Sequence, residues 1–476
     1  MGERLRARDL SFLTSETPTA PRHNATVEIF EGGEPGLAYD RVVSLIADRI
    51  SFVPRYRQRV VEVPGRVAAP VWVDDEQFDI GYHVRRSALP RPGTEEQLFE
   101  LVSRIISRPL DRARPLWEIY VVEGLSDDRV ALLYKSHQAL VDGVHTVDLG
   151  QLLLDVNPEP KVLEPDGWMP RAAPSSAGVF LDALRDTLTD GVTLVDTASV
   201  AAGVALRTAA DARSRTRAVA RTLTGRRSKR SVMFGPLSQQ RLVLTLETRL
   251  ADYRRVRQTH GGTVNDVILA TITGGLRTWM MTRAESMGGV RQVRAVVPVS
   301  VIDDELEATS LGSQIAAHFV ELPVGEASPV VRLHQVSYSF QAHKDTGRSV
   351  AANRLAGIAG FAPTTFHAIG SRVASDELRR GYGLSVTNVP GPQTPLYAAG
   401  AKMLGTYPVP PLLEGHPLSI GVTSYDGRVF YGITADREQL PDIGVFGTCL
   451  REALDELLES STSTRAPRGR KRTSKP

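Results

Sequence analysis

His137 follows an apolar run and has the side chain best suited to proton transfer in this chain. Residues 130–134 are typical of a buried β-strand, and Asp142 and Gly143 follow the histidine on the predicted loop. Imidazole exchanges a proton near neutral pH, and the end of a rigid strand would hold it in place. His137 is therefore a candidate general base.

Asp142 has two interpretations. It could orient His137, as the carboxylate of a catalytic triad orients its histidine. It could also point away from the ring, toward an arginine that fixes the loop. The spacing of the two residues favours this structural role.

Asn265 and Asp266 form a second candidate group at the start of a predicted helix over residues 263–284. Both residue types are good helix caps, which is the structural interpretation. In the functional alternative, Asn265 donates a hydrogen bond near a substrate carbonyl, assisted by the positive end of the helix. The sequence shows no pattern typical of a metal site or of a phosphate-binding glycine loop.

The remaining pattern alternates helices with strands and divides the chain into four segments. In the first, strands are predicted at 24–31, 117–122 and 129–135, and helices at 38–50 and from a capping box at Thr94 to about Ser107. In the second α/β region, strands are predicted at 241–246, 293–299, 315–322 and 384–387, with a hairpin turning at Asp426-Gly427 and a closing helix over 441–459. The segments are an N-terminal domain (1–165), a linker with amphipathic helices and a basic stretch (166–238), a C-terminal domain (239–460) and a basic, disordered tail (461–476).

Composition is that of a globular protein with two to three domains. The 476 residues are 42% hydrophobic and 23% charged. A single cysteine, Cys449, excludes an internal disulfide framework and indicates a reducing cytoplasm. We recognise no secretory signal and no apolar stretch long enough to span a membrane, so any membrane contact is expected at the surface.

Basic residues are concentrated in two places. Six of the last twelve residues are Lys or Arg, and without them the net charge of +3 becomes −3. A second basic stretch at 207–230 follows an amphipathic pattern at 181–195. Both could be solvated, solubilising segments, or they could dock on anionic lipid. No aromatic residue interleaves the tail, so nucleic-acid binding is not expected.

Five short motifs, taken in order, resemble the bacterial wax ester synthase/acyl-CoA:diacylglycerol acyltransferase (WS/DGAT) family. The resemblance extends from about Asp9 to Leu458. The motifs are residues 9–13 with 21–23, Pro115-Leu116-Trp117, residues 136–143, Asn265-Asp266, and residues 388–392. The third motif is similar to the family's His-His-x-x-x-Asp-Gly, with Ser136 taken as replacing the first histidine and His137 taken as the second.

The resemblance implies an α/β (α+β) fold of two chloramphenicol-acetyltransferase-like domains with a substrate tunnel between them. It also implies acyl transfer from acyl-CoA, a co-substrate, to diacylglycerol or a long-chain alcohol, without a metal or other cofactor. His137 would take the proton from the acceptor hydroxyl and return it to the CoA thiolate. Asn265 would assist at the developing oxyanion. The supporting motif residues are Ser136, Asp142, Gly143 and Asp266, and the residues that shape the site or the fold are Pro115, Leu116, Trp117, Asn388, Pro390 and Gly391.

Two alternatives remain open at this point. The chain could be an acyltransferase of the same fold with another acceptor or a carrier-bound donor. It could also be a weakly active lipid-binding or lipid-droplet protein, which the replacement at Ser136 and the basic segments would favour. In each case we expect a cytoplasmic protein in peripheral contact with the inner face of the membrane or with lipid droplets.

Overall fold

The computed structural model describes residues 3–33, 37–63, 69–140, 149–159, 167–172, 233–283, 292–300, 315–344 and 382–463. Within these residues the helices are α1 (Ala7–Ser15), α2 (Tyr39–Arg49), α3 (Ile80–His83), α4 (Glu95–Ile106), α5 (Leu149–Leu153), α6 (Leu250–His260), α7 (Val264–Thr282), α8 (Pro329–Lys344) and α9 (Ile443–Ser463). The strands are β1 (Glu3–Arg4), β2 (His23–Phe30), β3 (Gln58–Val61), β4 (Val71–Asp74), β5 (Val84–Ala88), β6 (Trp117–Glu123), β7 (Val130–His137), β8 (Arg241–Arg249), β9 (Val293–Ser300), β10 (Ile315–Leu322), β11 (Leu384–Pro390), β12 (Tyr397–Ala398), β13 (Ala401–Val409), β14 (Leu418–Tyr425) and β15 (Arg428–Asp436).

Two six-stranded sheets form the framework, and a small third sheet has the order β1-β4-β3. The first large sheet has the order β12-β13-β2-β7-β6-β5, and the second has the order β10-β9-β11-β14-β15-β8. In the first sheet β7 lies between β2 and β6 and is antiparallel to both. Because β12 and β13 lie within residues 239–460, this sheet takes strands from both predicted domains.

Most elements expected from local patterns are confirmed. Thr94 caps α4 through the expected capping box with Gln97. Asp426 and Gly427 have φ values of 44° and 80°, as a type I′ turn between β14 and β15 requires. Three predicted ends were wrong: β8 continues past residue 246 to Arg249, β11 continues past residue 387 to Pro390, and α9 continues to Ser463, into the predicted tail. The amphipathic pattern at 181–195, the basic stretch at 207–230 and the rest of the tail lie outside the described residues.

Helix α4 joins the first sheet to the second. On its sheet side, the carbonyl of Ile105 accepts a hydrogen bond from Lys135 of β7 at 3.2 Å. On its other side, the Ser103 and Ser107 hydroxyls accept hydrogen bonds from the backbone N–H groups of Val243 and Arg241 in β8, both at 2.9 Å. The face of β7 that carries Lys135 is therefore turned toward the second half of the molecule.

The two sheets also approach each other closely where β13 passes β15. A Cβ placed on Gly432 of β15 would lie 1.6 Å from the carbonyl oxygen of Pro408 in β13. Only a glycine allows the two backbones to come this close. Strand β13 therefore packs the first sheet directly against the second sheet.

Candidate active site

His137 is the last residue of β7 and is held there by the neighbouring strands. It pairs with His23 of β2, and its backbone N–H donates to the Leu116 carbonyl at 2.9 Å. The next N–H, of Gln138, donates to the Arg22 carbonyl at 2.8 Å. The side chain of His137 is 1% exposed, so the structure places the predicted candidate in a buried, fixed position.

Both ring nitrogens of His137 have a defined environment. Nδ1 lies 3.0 Å from the backbone nitrogen of Ala139. A backbone N–H can only donate, so Nδ1 carries a lone pair and the neutral ring has its proton on Nε2. Nε2 lies 3.7 Å from Oε2 of Glu16 and makes no hydrogen bond within the described chain. Burial lowers the pKa of His137, against the opposing effect of the Glu16 charge, so the ring is neutral near pH 7.

Glu16 directly follows α1, and several donors fix its carboxylate beside His137. Arg112 donates to Oε2 from Nη2 at 2.5 Å and from Nε at 3.0 Å, and the Arg22 N–H donates to Oε1 at 3.1 Å. Burial by itself would raise the pKa of Glu16. The contacts with His137, Arg112 and Arg22 outweigh it and hold this pKa well below its usual value, so the carboxylate is ionised.

Sequence reasoning did not find Glu16 as a site residue. Residues 17–20 separate it from the quoted segment 21–23, and the only available signal was its place between two stretches of one motif. Its contact with His137 joins residues that are 121 positions apart. Such a pairing follows from the tertiary fold and not from any local pattern.

Two further charged or ionisable groups share the face of the sheet with His137. The ring of His23 donates from Nε2 to the Ile106 carbonyl at 2.8 Å, and burial lowers its pKa well below the usual value, with the Lys135 charge adding to the effect. Lys135 donates from Nζ to the carbonyls of Ile105 and Arg108. The three side chains therefore line one face of β2 and β7, where the C-terminal end of α4 covers the sheet.

Ser136 lies on the opposite face, because side chains alternate along a strand. Its partners in register are Asn24 of β2 and Trp117 of β6. Trp117 donates from Nε1 to the Tyr56 carbonyl at 2.7 Å and stacks on the His83 ring at 4.5 Å between centroids. Ser136 is thus separated from the His137 ring by the sheet itself.

The Pro115-Leu116-Trp117 motif supports the end of β7 through its backbone. The Leu116 carbonyl receives the N–H of His137, and the Trp117 N–H donates to the Pro115 carbonyl at 2.9 Å. Leu116 and Trp117 are almost completely buried, at 0% and 1% exposure. These contacts fix the motif against the end of β7.

Asn265 and Asp266 have separate partners. Thr263, and not either of these residues, is the N-cap of α7; Asp266 is the reciprocal member of its capping box and also accepts a hydrogen bond from Ser337 at 2.7 Å. The side-chain oxygen of Asn265 accepts from the Asn388 amide at 2.8 Å. Two motifs far apart in sequence therefore meet at the start of α7.

The other residues of the last motif hold β11 against β14. Pro390 pairs in register with Ser424, and the Gly391 N–H donates to the Ser424 carbonyl at 2.9 Å. Within the described chain, no hydrogen bond or ion pair connects this motif or Asn265 with His137. Asp142 and Gly143 lie outside the described residues.

No group of three or more His, Cys, Asp or Glu side chains in the described part of the chain could hold a metal ion. Among the helices that the structure describes, none is long and apolar enough to cross a membrane.

The chain matches two models of one known protein family. The family model for the wax ester synthase/diacylglycerol acyltransferase catalytic domain matches residues 5–268, and the model for the WS/DGAT C-terminal domain matches residues 311–458. The chain belongs to the WS/DGAT family. This is a family of acyltransferases, and the resemblance found in the sequence is confirmed.

Relatives and solved structures agree with this assignment. A probable diacylglycerol O-acyltransferase of Mycobacterium tuberculosis strain H37Rv is 31% identical over 466 residues, which are 97% of each chain. The wax ester synthase/diacylglycerol acyltransferase structure from Marinobacter aquaeolei VT8 has a TM-score of 0.66 at 26% identity and covers 96% of this chain and 100% of that one. The first condensation domain of the CDA synthetase, at 13% identity, has a TM-score of 0.55 over 98% and 97% of the two chains. The expected α/β fold with two chloramphenicol-acetyltransferase-like halves is confirmed.

The WS/DGAT motif must be realigned by one residue in this chain. Counted back from Asp142 and Gly143, its three variable positions are residues 139–141. Gln138 then stands at the second histidine and His137 at the first, so the alignment that put Ser136 first was wrong, and the base role that the resemblance gives to the second histidine falls on Gln138. Gln138 is fully buried, at 0% exposure. A carboxamide forms hydrogen bonds but does not take up a proton at neutral pH, so His137 is the one ionisable member of the motif's pair.

Proposed function

We propose that this chain is an acyl-CoA-dependent O-acyltransferase that esterifies diacylglycerol to triacylglycerol or a long-chain alcohol to a wax ester. The observation that carries the proposal is His137: a neutral, buried imidazole at a strand end, next to an ionised carboxylate, in a chain of the WS/DGAT family. A neutral imidazole can take up a proton, as base-catalysed acyl transfer requires.

The proposed reaction uses His137 as a general base. It takes the proton of the acceptor hydroxyl while that oxygen attacks the thioester carbonyl carbon of acyl-CoA. The tetrahedral intermediate collapses with cleavage of the carbon–sulfur bond, and the imidazolium gives its proton to the CoA thiolate. The products are an ester and free CoA, and the base is regenerated without a covalent acyl-enzyme.

Asn265 is the residue we propose for the developing oxyanion. Because its oxygen is engaged by Asn388, its amide group keeps a fixed orientation and has its Nδ2 hydrogens available for donation. We place the two substrates in a tunnel between the two halves, since the face of β7 that carries His137 is turned toward the second half.

An acyl-transfer assay tests the proposal. Labelled acyl-CoA is incubated with diacylglycerol in one arm and with a long-chain alcohol in the other, using the wild type, His137→Ala and His137→Gln. Loss of the base is expected to lower kcat/KM by about 10²–10⁴-fold, with thermal unfolding checked for each variant. Equal product formation by the wild type and the folded variants would show that His137 is not the base. The arm that gives more product identifies the acceptor.

A second candidate function is lipid binding with little turnover. Gln138 favours it, because a carboxamide stands where the motif has its second histidine. Saturable binding of acyl-CoA by calorimetry, together with no ester product in either arm of the assay, would select this candidate over the first.

We also propose peripheral contact of this chain with a membrane or lipid-droplet surface. The proposed acceptor is a lipid, and the sequence has basic residues at 207–230 and 465–475 that would be attracted to anionic lipid. In flotation with anionic vesicles, binding should weaken as salt is raised, because salt screens charge attraction. Absence of flotation at low salt would contradict it.

A further inference from the structure

We infer that one end of the helix layer on the second sheet docks on an anionic lipid surface. At this end α6 stops, α7 begins and α8 passes beside them. The inference rests on the proposed function, because it names the surface for the peripheral contact and for the uptake of a lipid acceptor. We call this surface the docking end, and it consists of Arg254, Arg255, Arg257, Gly261, Gly262 and Tyr338.

Two hydrogen bonds bring the three helices together at the docking end. The His334 ring of α8 donates from Nε2 to the carbonyl of His260, the last residue of α6, at 3.1 Å. The Ser337 hydroxyl of α8 donates to the carboxylate of Asp266 in the first turn of α7 at 2.7 Å. Tyr338 directly follows Ser337, so it lies beside the start of α7.

Tyr338 gives the docking end an exposed aromatic ring. The residue is 73% exposed, and Val331, two helical turns earlier on the same side of α8, is 40% exposed. The turn between α6 and α7 is Gly261-Gly262, which is exposed and adds no side chain that covers the ring. Tyrosine has an apolar ring with a polar tip, which suits the boundary between lipid and water.

Helix α6 adds positive charge to the same end. Arg254, Arg255 and Arg257 are exposed, and within the described chain none of them forms an ion pair. The one acid of this helix, Asp252, is already paired with Arg249 at 3.0 Å. Basic side chains beside an exposed aromatic ring match anionic headgroups and the interfacial region below them. The charge and the ring together therefore favour a lipid surface as the partner.

The docking end lies next to a residue of the proposed reaction. Asn265, which we propose for the oxyanion, is in the first turn of α7 and directly precedes Asp266, the acceptor of the Ser337 hydrogen bond. A diacylglycerol or long-chain alcohol is apolar, and its transfer from lipid into water is unfavourable. With this end on the lipid surface, the acceptor passes from the lipid to the site beside Asn265 without crossing water.

Flotation with mixed phosphatidylglycerol and phosphatidylcholine vesicles at low salt tests the role of charge. The test variant combines Arg254→Gln, Arg255→Gln and Arg257→Gln. The control removes the same charge from three exposed arginines elsewhere, Arg91→Gln, Arg104→Gln and Arg437→Gln. The test variant should lower the vesicle partition coefficient by roughly 100-fold, because each basic residue near the surface contributes about fivefold, and the control should stay within about fivefold of the wild type. Thermal unfolding of both variants shows whether they are folded.

A fluorescent label tests the insertion of Tyr338. The single cysteine, Cys449, is 3% exposed, so an environment-sensitive dye labels Tyr338→Cys or the control Val445→Cys in the folded protein. Val445 is 44% exposed and lies 15 positions before Ser460, the α9 residue that contacts His260, which places it roughly 22 Å from the docking end. On anionic vesicles the emission of the dye at position 338 should shift to the blue and that at position 445 should not, because an interfacial contact is only about 5–10 Å deep.

The outcomes separate this inference from the proposed function. If the wild type floats but the two arginine variants lose binding equally, or the dye at position 445 shifts as much as the dye at 338, the inference is wrong and the peripheral contact stands. If the wild type does not float at low salt, the peripheral contact itself is wrong. If the test variant keeps vesicle binding but loses affinity for acyl-CoA in calorimetry, the three arginines bind the phosphates of the donor, which also overturns the inference.

Discussion

Replacing Lys135 by methionine should remove a pH-dependent part of the protein's stability. Lys135 lies two residues before His137 on β7, and its side chain is 1% exposed. Burial lowers the pKa of its ammonium group from 10.5 to about 8, and the nearby Glu118 carboxylate opposes this shift only in part. Methionine has a similar unbranched length without the charge, so Lys135→Met isolates the titration.

The sign and size of the effect follow from the two pKa values. The unfolded chain keeps its proton to pH 10.5 and the folded chain loses it near pH 8, so stability rises with pH through this range. Below pH 8 the buried charge costs on the order of 3 kcal/mol, since each pKa unit corresponds to about 1.4 kcal/mol. Between pH 7 and pH 9 the wild type recovers about 1 kcal/mol of this cost.

Urea unfolding at pH 7 and pH 9 measures this difference. Lys135→Met should lack the gain of about 1 kcal/mol, whereas Lys402→Met, at a partly exposed lysine of the first sheet, should keep it. At pH 7 the net change in the free energy of unfolding should be smaller than the cost of the buried charge. The substitution also removes the hydrogen-bond donor of the Ile105 and Arg108 carbonyls, which costs about 1–3 kcal/mol for each carbonyl. An unchanged pH dependence in Lys135→Met would refute the assigned titration.

Three further substitutions test the site and the packing. Gln138→His should leave kcat/KM of the acyl-transfer assay within about threefold, because His137 is the proposed base; a gain of tenfold or more would move the base to position 138 instead. Gly432→Ala should cost more than about 4 kcal/mol in urea unfolding, since its Cβ would overlap the Pro408 carbonyl, whereas Gly444→Ala, with open space at its Cβ, should be neutral. Asp266→Ala should lose about 1–2 kcal/mol with the α7 capping box, and an unchanged melting temperature would oppose this.

Local patterns predicted the elements, because their causes are local. The capping box at Thr94 and the Asp426-Gly427 turn depend on residues within four positions of each other, and both are present. The end of β11 was predicted at residue 387, three residues too early. Pro390 is the last residue of β11 that pairs with β14, and in the sequence a proline at this place resembles a strand terminator. Such an error concerns one strand end and leaves the fold class intact.

The candidate site was predictable only in part. The sequence identified His137 and the motifs around it, but it could not show that Glu16 and Asn388 become the neighbours of His137 and Asn265. Those pairings depend on how separate strands and helices pack. The pairing of β13 with β2 could not be predicted for the same reason, since nothing in the sequence near residue 401 indicates which strand lies beside it.

The origin of β13 has a consequence for how the protein is made. On a ribosome, β2 emerges about 370 residues before the strand that covers its outer edge, and at 5–20 residues per second this delay is roughly 20–75 s. During that time an eight-residue strand, buried throughout in the finished protein, presents unpaired backbone groups. The nascent first half is therefore open to intermolecular strand pairing, and we expect it to depend on chaperones until residue 409 has been added.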